Sequence, residues 1–243
     1  MIWLASFPRS GNTFFRIVLH EVYGISSGRL LPPEMRQGDW EKDLDFPVVK
    51  THVEPHDLYP DDPTIPAVYI VRDGRDAVVS MSHHRRDIVV PGSDYLRNMA
   101  EAIRAENGTF FGGWSQNVED WLQRATIVIH FEELIRDPIG NAEKLRGILD
   151  MPDPDLEKLP TFEDLRKKPM PYQGQRKNLA EWRKKFFRRG KVGAWKDEMP
   201  EPMQQLFWDL HGDTMEKLGY TEGRWERPRP KKRWYQKLFG SGG

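Results

Sequence analysis

Four short apolar runs constrain this chain more than any other feature: Ile2 to Phe7, Pro47 to His52, Ala67 to Val71 and Thr126 to Phe131. Each is too short for a helix of ordinary length, and each reads as a strand buried in a sheet. Between them the period changes. Phe14, Phe15, Val18, Leu19 and Val22 recur at helical spacing after the first run, and a helix is expected from about Ala77 after the third. Strands that alternate with helices form parallel sheets joined by crossover helices, and such sheets bind ligands at the carboxyl ends of their strands. Three of the four runs lead straight into polar residues at that end, so the polar motifs are expected to share one site.

The expected fold is therefore α/β and three-layered, with a central, mostly parallel sheet flanked by helices. A chain of 243 residues suits one such domain. The domain is expected to cover residues 1–222. Residues 223–243 are basic, contain proline and end in glycine, and are expected to form a flexible tail. Gly24 to Pro47, rich in glycine, proline and charge, reads as loop. Ala142 to Leu149 reads as helix, stopped by Pro152, Pro154 and Pro160. Tyr172 to Gly193 reads as irregular with a short helix. Met203, Leu206, Phe207 and Leu210 mark a last amphipathic helix that Met215 and Leu218 extend to Gly219.

Charge narrows the function in one respect. Lys and Arg together number 37 and Asp and Glu also 37, so an anion site must come from local clustering of cations. Cysteine is absent, which excludes disulfides, thiolate metal sites and a thiol nucleophile and fits a reducing compartment. No apolar run approaches the ~20 residues that span a bilayer. The start, Met1 to Phe7, lacks the basic region of a signal peptide, so the cytoplasm is the expected location. His83 and His84 are adjacent and diverge on a helix, and no metal set is expected.

Four segments carry chemistry. Phe7-Pro8-Arg9-Ser10-Gly11-Asn12-Thr13 joins a strand to a helix, where backbone N–H groups and the helix N-terminus favour an anion. Arg9 adds charge, while Ser10, Asn12 and Thr13 add side-chain donors. The segment is no nucleoside-triphosphate P-loop, because the second glycine and the following lysine are missing. Lys50-Thr51-His52 ends a strand, with Lys50 two positions before His52 on the same sheet face. A cation there keeps the imidazole neutral, as a general base must be. Arg72 closes a strand and Ser80 follows eight residues later, two turns into a helix, so that guanidinium and hydroxyl can pinch a phosphate. Asp73 and Asp76 suit the dipole at that helix start. Finally, Phe186 to Lys196 brackets Arg188, Arg189 and Lys191 with Gly190 and Gly193, which free the backbone to wrap a ligand.

Taken together and in order, these segments resemble the cytosolic-type sulfotransferases that use 3′-phosphoadenosine-5′-phosphosulfate (PAPS). The family's YPKSGTTW loop is similar to Phe7 to Phe14, its Lys-Thr-His to Lys50-Thr51-His52, and its Arg and Ser eight apart to Arg72 and Ser80. Its RKGxxGDWK resembles Arg188 to Lys196. Phe131-Glu132-Glu133-Leu134 and Leu218-Gly219-Tyr220 are further echoes, and the resemblance spans about residues 2–220.

The resemblance implies a P-loop-like sulfotransferase fold and transfer of a sulfuryl group to a hydroxyl or amine acceptor, giving 3′-phosphoadenosine-5′-phosphate (PAP). It implies that Arg9, Ser10, Gly11, Asn12 and Thr13 hold the 5′-phosphosulfate, and that Arg72, Ser80, Arg188, Arg189 and Gly190 hold the 3′-phosphate. Phe14 and Phe162 would sandwich the adenine. His52 would act as base, with Lys50 and Arg9 meeting the developing charge, and no metal would be needed.

The chain departs from the family pattern at several positions: Arg9 stands for Lys, Phe14 for Trp, Phe131 for Tyr, Arg189 for Lys and Ala194 for Asp. The KxxxTVxxxE segment tied to dimers in some members is absent, so no oligomeric state is expected from the sequence. Two other readings compete. A nucleotide kinase-like phosphoryl transferase shares the strand–loop–helix layout but calls for a loop lysine and a magnesium-binding acid. A non-catalytic PAP- or nucleotide-binding protein would need neither Lys50 nor His52. Acceptor-shaping segments are expected at Gly24 to Phe46, His83 to Trp114 and Leu165 to Gln175. A small-molecule, lipid or sugar acceptor all fit. The basic tail from Arg224 to Lys237 is compatible with weak contact to an anionic membrane surface, and it establishes no nucleic-acid partner.

Overall fold

A computed structural model describes residues 1–172 and 177–224. The expected tail therefore lies, from residue 225 on, outside the described residues, as does the end of the Leu165 to Gln175 segment. Five parallel strands form the sheet: β1 Ile2–Ser6, β2 Ser27–Arg29, β3 Val48–Thr51, β4 Ala67–Val71 and β5 Ile127–His130, in the order β2-β3-β1-β4-β5. Four of them are the four apolar runs. All five residues of β1 and of β4 are buried, as expected of strands covered on both faces.

Alternation along the strands sorts the side chains into two cores. Trp3, Ala5, Val49, Tyr69 and Val71 point to one face, where they meet α2 (Gly74–His84), α3 (Tyr95–Arg104), α4 (Trp114–Arg124) and α10 (Glu201–Lys217). Ile2, Leu4, Val48, Val68, Ile70 and Ile129 point to the other, against α1 (Asn12–Tyr23), α5 (Phe131–Arg136) and α6 (Pro138–Glu143). Burying each large apolar side chain of this kind contributes about 1.5–3 kcal/mol before entropy is counted.

Three sequence expectations change. The Gly24 to Pro47 stretch holds β2, whose polar Ser27-Gly28-Arg29 carries no apolar signal because it pairs through backbone at a sheet edge. Arg16 of α1 fixes this edge by donating to Ser27 Oγ at 2.7 Å and Ser27 O at 3.0 Å. A Cβ at Gly28 would lie 1.8 Å from the Asp43 carbonyl, so only glycine fits. The helix expected from Ala77 starts at Gly74, because the Asp73 side chain accepts from the Arg75 N–H and caps it. Leu210, expected on the apolar face of the last helix, is 50% exposed, whereas Phe207 and Met215 are buried. The chain between the motifs also supplies α7 (Phe162–Lys167), α8 (Leu179–Phe186) and the short α9 (Trp195–Glu198). Among the described residues no helix is long and apolar enough to cross a membrane.

Candidate active site

At the carboxyl edge of the sheet a cavity of about 1360 Å³ is lined by residues from all four sequence motifs. Of the expected site residues, Arg9, Gly11, Asn12, Thr13, Phe14, Lys50, His52, Arg72, Ser80, Phe162, Arg188, Arg189 and Gly190 all line it. Ser10 does not. It is buried behind the loop, and its hydroxyl has no hydrogen-bond partner among the described residues.

The loop after β1 is built by two left-handed residues, Arg9 at φ 68° and Gly11 at φ 96°. A Cβ at Gly11 would stand 2.6 Å from the Phe131 ring, so glycine lets α5 close against the loop. α1 begins here with no side-chain cap and no acidic residue in its first turn, which leaves the positive end of its dipole uncompensated. Asn12 turns inward instead and donates to Leu4 O at 3.0 Å.

His52 and Lys50 stand at the end of β3. The His52 Nδ1 lies 2.7 Å from the Ser6 carbonyl, which can only accept, so Nδ1 carries the proton and Nε2 keeps its lone pair. Burial, then Lys50, holds the imidazole well below its ordinary value, against the upward pull of the Ser6 hydrogen bond. Lys50 itself is pulled down to about 7 by burial and by the charges of Arg16 and Arg29. It pairs with no carboxylate among the described residues. The Phe111 ring meets the imidazole edge-on at 5.8 Å.

Arginines gather on the other side of the cavity. Arg9 donates from Nε to Ser80 Oγ at 3.2 Å and from Nη2 to Phe186 O at 2.7 Å, with its guanidinium 4.1 Å from the Phe186 ring centre. Burial and the neighbouring Arg72 and Arg188 charges lower it to about 9. Arg72 donates to Arg9 O at 2.9 Å and Lys191 O at 3.1 Å, and its guanidinium lies 4.3 Å from the Phe131 ring centre. It thus ties the first loop to the last motif. Arg188 and Arg189 both meet Glu198, at 2.9 Å each. Gly190, at φ 58°, would drive a Cβ to within 2.6 Å of the Phe162 ring, which sits directly on this turn.

Several organising residues carry little sequence signal. Asp76 reads from sequence as a dipole-compensating acid. In the structure its carboxylate accepts the N–H groups of Gly193 at 2.7 Å and Trp195 at 2.9 Å, docking the last motif onto α2. Burial raises the Asp76 pKa, against the pull of Arg72. Glu198 has no signal beyond being an acid beside a basic run. The two minor echoes meet as well, since Tyr220 donates to Glu132 Oε2 at 2.8 Å.

A family profile described as the sulfotransferase domain matches residues 33–219. The chain belongs to the sulfotransferase family. Among sulfotransferases of known activity it is 26% identical to a flavonol 3-sulfotransferase of Flaveria bidentis, across 88% of this chain and 82% of that protein. It is 22% identical to sulfotransferase 1A1 of Bos taurus, across 84% and 79%. Among solved structures, a mouse sulfotransferase complexed with PAP superposes with a TM-score of 0.69 at 21% identity, covering 88% of this chain and 83% of that one. Retinol dehydratase complexed with androsterone and PAP gives 0.61 at 18% identity, covering 93% and 82%. These likenesses bear out the sulfotransferase fold, with its wholly parallel five-stranded sheet between two helical layers. The enzyme class is sulfuryl transfer, which sets the kinase-like reading aside. Among the described residues no group of three or more potential metal ligands occurs.

Proposed function

We propose that this sulfotransferase takes PAPS in the cavity described above and transfers its sulfuryl group to the hydroxyl or amine of a small molecule, with His52 as general base. One observation carries the reading: a single cavity holds an imidazole with a free Nε2 lone pair together with three clustered guanidiniums, Arg9, Arg72 and Arg188. The imidazole suits proton removal, and the guanidiniums suit a ligand with more than one phosphate.

In the reaction, the acceptor oxygen or nitrogen forms a bond to sulfur as the bond from sulfur to the 5′-phosphate oxygen breaks. The acceptor proton passes to His52 Nε2, and the bonding pair leaves with the phosphate. Lys50 and Arg9 meet the negative charge that grows on the sulfuryl and phosphate oxygens. Because Lys50 is half-buried beside the base and pairs with no carboxylate among the described residues, its charge is only partly screened by water. Arg9, Ser10, Gly11, Asn12 and Thr13 hold the 5′-phosphosulfate, with Ser10 contributing through the loop backbone. Arg72, Ser80, Arg188, Arg189 and Gly190 hold the 3′-phosphate, and Phe14 and Phe162 flank the adenine.

The acceptor side is supported by an apolar wall of Leu31, Met35, Val89, Val90, Phe110 and Phe111. It fits a small hydrophobic alcohol or phenol, in keeping with the flavonol, androsterone and retinol named for the relatives and neighbours. Action in the cytoplasm belongs to the same reading and agrees with the absence of cysteine.

Calorimetric titration with PAP and with adenosine 5′-phosphosulfate, which lacks the 3′-phosphate, tests the donor site. Sulfate transfer from PAPS to a flavonol, retinol and androsterone tests the reaction. Binding of PAP in clear preference to the other nucleotide is expected. Folded protein that binds no PAP would overturn the reading.

A further inference from the structure

Arg188 and Arg189 do not stand alone in the cavity wall. Both are held by one carboxylate, Glu198, in the last turn of α9. Its Oε1 accepts from Arg188 Nη2 at 3.0 Å and Arg189 Nη1 at 2.9 Å, and its Oε2 lies 2.9 Å from Arg188 Nη1. The Arg188 pair is thus a two-point fork, the geometry in which a guanidinium loses its rotational freedom. Oε2 also lies 2.5 Å from His83 Nε2. The other ring nitrogen of His83 receives a hydrogen bond from Arg86 at 3.1 Å, so Nε2 carries the proton and donates to Glu198.

His83 lies on α2, three residues beyond Ser80. Glu198 therefore links the helix that bears Ser80 to both arginines. The mooring is doubled, because Asp76 of the same helix holds the N–H groups of Gly193 and Trp195 at the start of α9. Tyr95 adds a third tie by donating to Glu198 O at 3.2 Å. The Glu198 side chain is only 12% exposed, and its pKa is lowered: burial opposes the shift, but hydrogen bonds from Arg188 and His83 outweigh it. The end-on fork engages Arg188 through Nη1 and Nη2 and leaves its Nε–H edge unused by the carboxylate. Arg189 gives Glu198 a single nitrogen. Both side chains still line the cavity.

We infer that Glu198 is the positioning residue of the 3′-phosphate site: it fixes Arg188 and Arg189 relative to Ser80, and thereby sets how strongly the enzyme prefers a 3′-phosphorylated donor. The inference rests on the donor site proposed above. It makes Glu198 neither a base nor a ligand. Its effect travels through the two guanidiniums, whose pre-ordering removes an entropic cost from binding.

The test titrates wild type, Glu198→Gln and Glu198→Ala with PAP and with adenosine 5′-phosphosulfate, alongside thermal denaturation. With Glu198→Ala we expect PAP to bind about tenfold more weakly and adenosine 5′-phosphosulfate to change by less than about twofold. Glu198→Gln, which keeps an acceptor at the same place, is expected to fall between. A merely structural role would weaken both nucleotides alike, and that result overturns the inference. So does PAP binding that is unchanged or tighter, since Glu198 would then be a competing counterion. If wild type itself binds no PAP, the donor-site reading fails first and takes this inference with it. If wild type discriminates and the variants discriminate equally, only this inference fails.

Discussion

The two ends of the cavity are both cationic, yet they are built differently. At the end of β3, Lys50 is half-buried, pairs with no carboxylate among the described residues and is pulled down to about 7 by loss of solvent and by the Arg16 and Arg29 charges. At the end formed by the last motif, Arg188 and Arg189 share Glu198, and Arg72 lies 3.7 Å from Asp76. A cation partly withdrawn from water without a counterion costs stability, and such a cost persists where charge must be met in the reaction. A paired cation is held still, which suits recognition of a charge that does not change. The contrast teaches that positive charge alone does not say what a residue does. Its counterion does.

The sharpest way to break that contrast is at the base. Replacing His52 by Ala should lower turnover by about 10²–10⁴-fold while PAP affinity stays within about twofold, since the role proposed for the imidazole is to take the proton and not to hold the donor. Calorimetry and a transfer assay on the same preparation check this. Turnover that survives would leave His52 as packing for Phe111. Next in size is Arg72→Ala, expected to weaken PAP by about 1.5–3 kcal/mol, or about 10- to 150-fold. Because Arg72 also bridges Arg9 O and Lys191 O, the melting temperature should fall as well. A fall in melting temperature with PAP affinity intact would confine Arg72 to that bridging role.

The sequence carried most of the sheet and of the cavity, for a physical reason. Strands buried on both faces must be continuously apolar, so β1 and β4 are legible; β3 and β5 are legible from their shorter apolar runs, Val48-Val49 and Ile127-Val128-Ile129, and the strand ends locate the site. The polar edge strand β2 is not, because what fixes it is Arg16 reaching Ser27 and the close approach of Asp43 O to Gly28. The same holds within the site. Cations and glycines announce themselves through motif order. Asp76 and Glu198, which hold those cations and glycines in place, act across 117 and 10 residues of chain and leave no local pattern. Arg9 was legible as a cation but not as a contact of Ser80 and Phe186 O, because its left-handed φ of 68° redirects the side chain.

The unpaired end also predicts a pH dependence. Lys50 has a value of about 7 in the free protein, below its ordinary 10.5. A bound dianion stabilises the charged amine and raises that value. Between the two values binding takes up a proton, so PAP affinity should fall as pH rises above 7, by up to about tenfold per unit for one proton. Calorimetry in buffers of different ionisation enthalpy reads the uptake directly, and Lys50→Met should abolish it. The unfolded chain binds more protons than the folded one between 7 and 10.5, so this group's contribution to stability should rise across that window. Affinity that is flat from pH 7 to 9 would mean that Lys50 does not face the anion.

The smallest expected effect separates two glycines of the last motif. Gly190 has φ 58° and Gly193 φ 74°, so an alanine at either position carries a left-handed strain of about 1–2 kcal/mol. Their surroundings differ. A Cβ at Gly190 would meet Phe162 at 2.6 Å, whereas at Gly193 the nearest atom is Lys196 Cε at 3.6 Å. Phe162 is 38% exposed and can swing away, so the clash at Gly190 should move the ring more than it unfolds the chain. Gly190→Ala and Gly193→Ala should therefore lose similar stability in denaturant melts. Gly190→Ala alone should weaken PAP, by about fivefold, close to one kcal/mol, the order of a stacking contact. Equal losses of affinity would mean that strain in the turn, and not the place of Phe162, governs this end of the cavity.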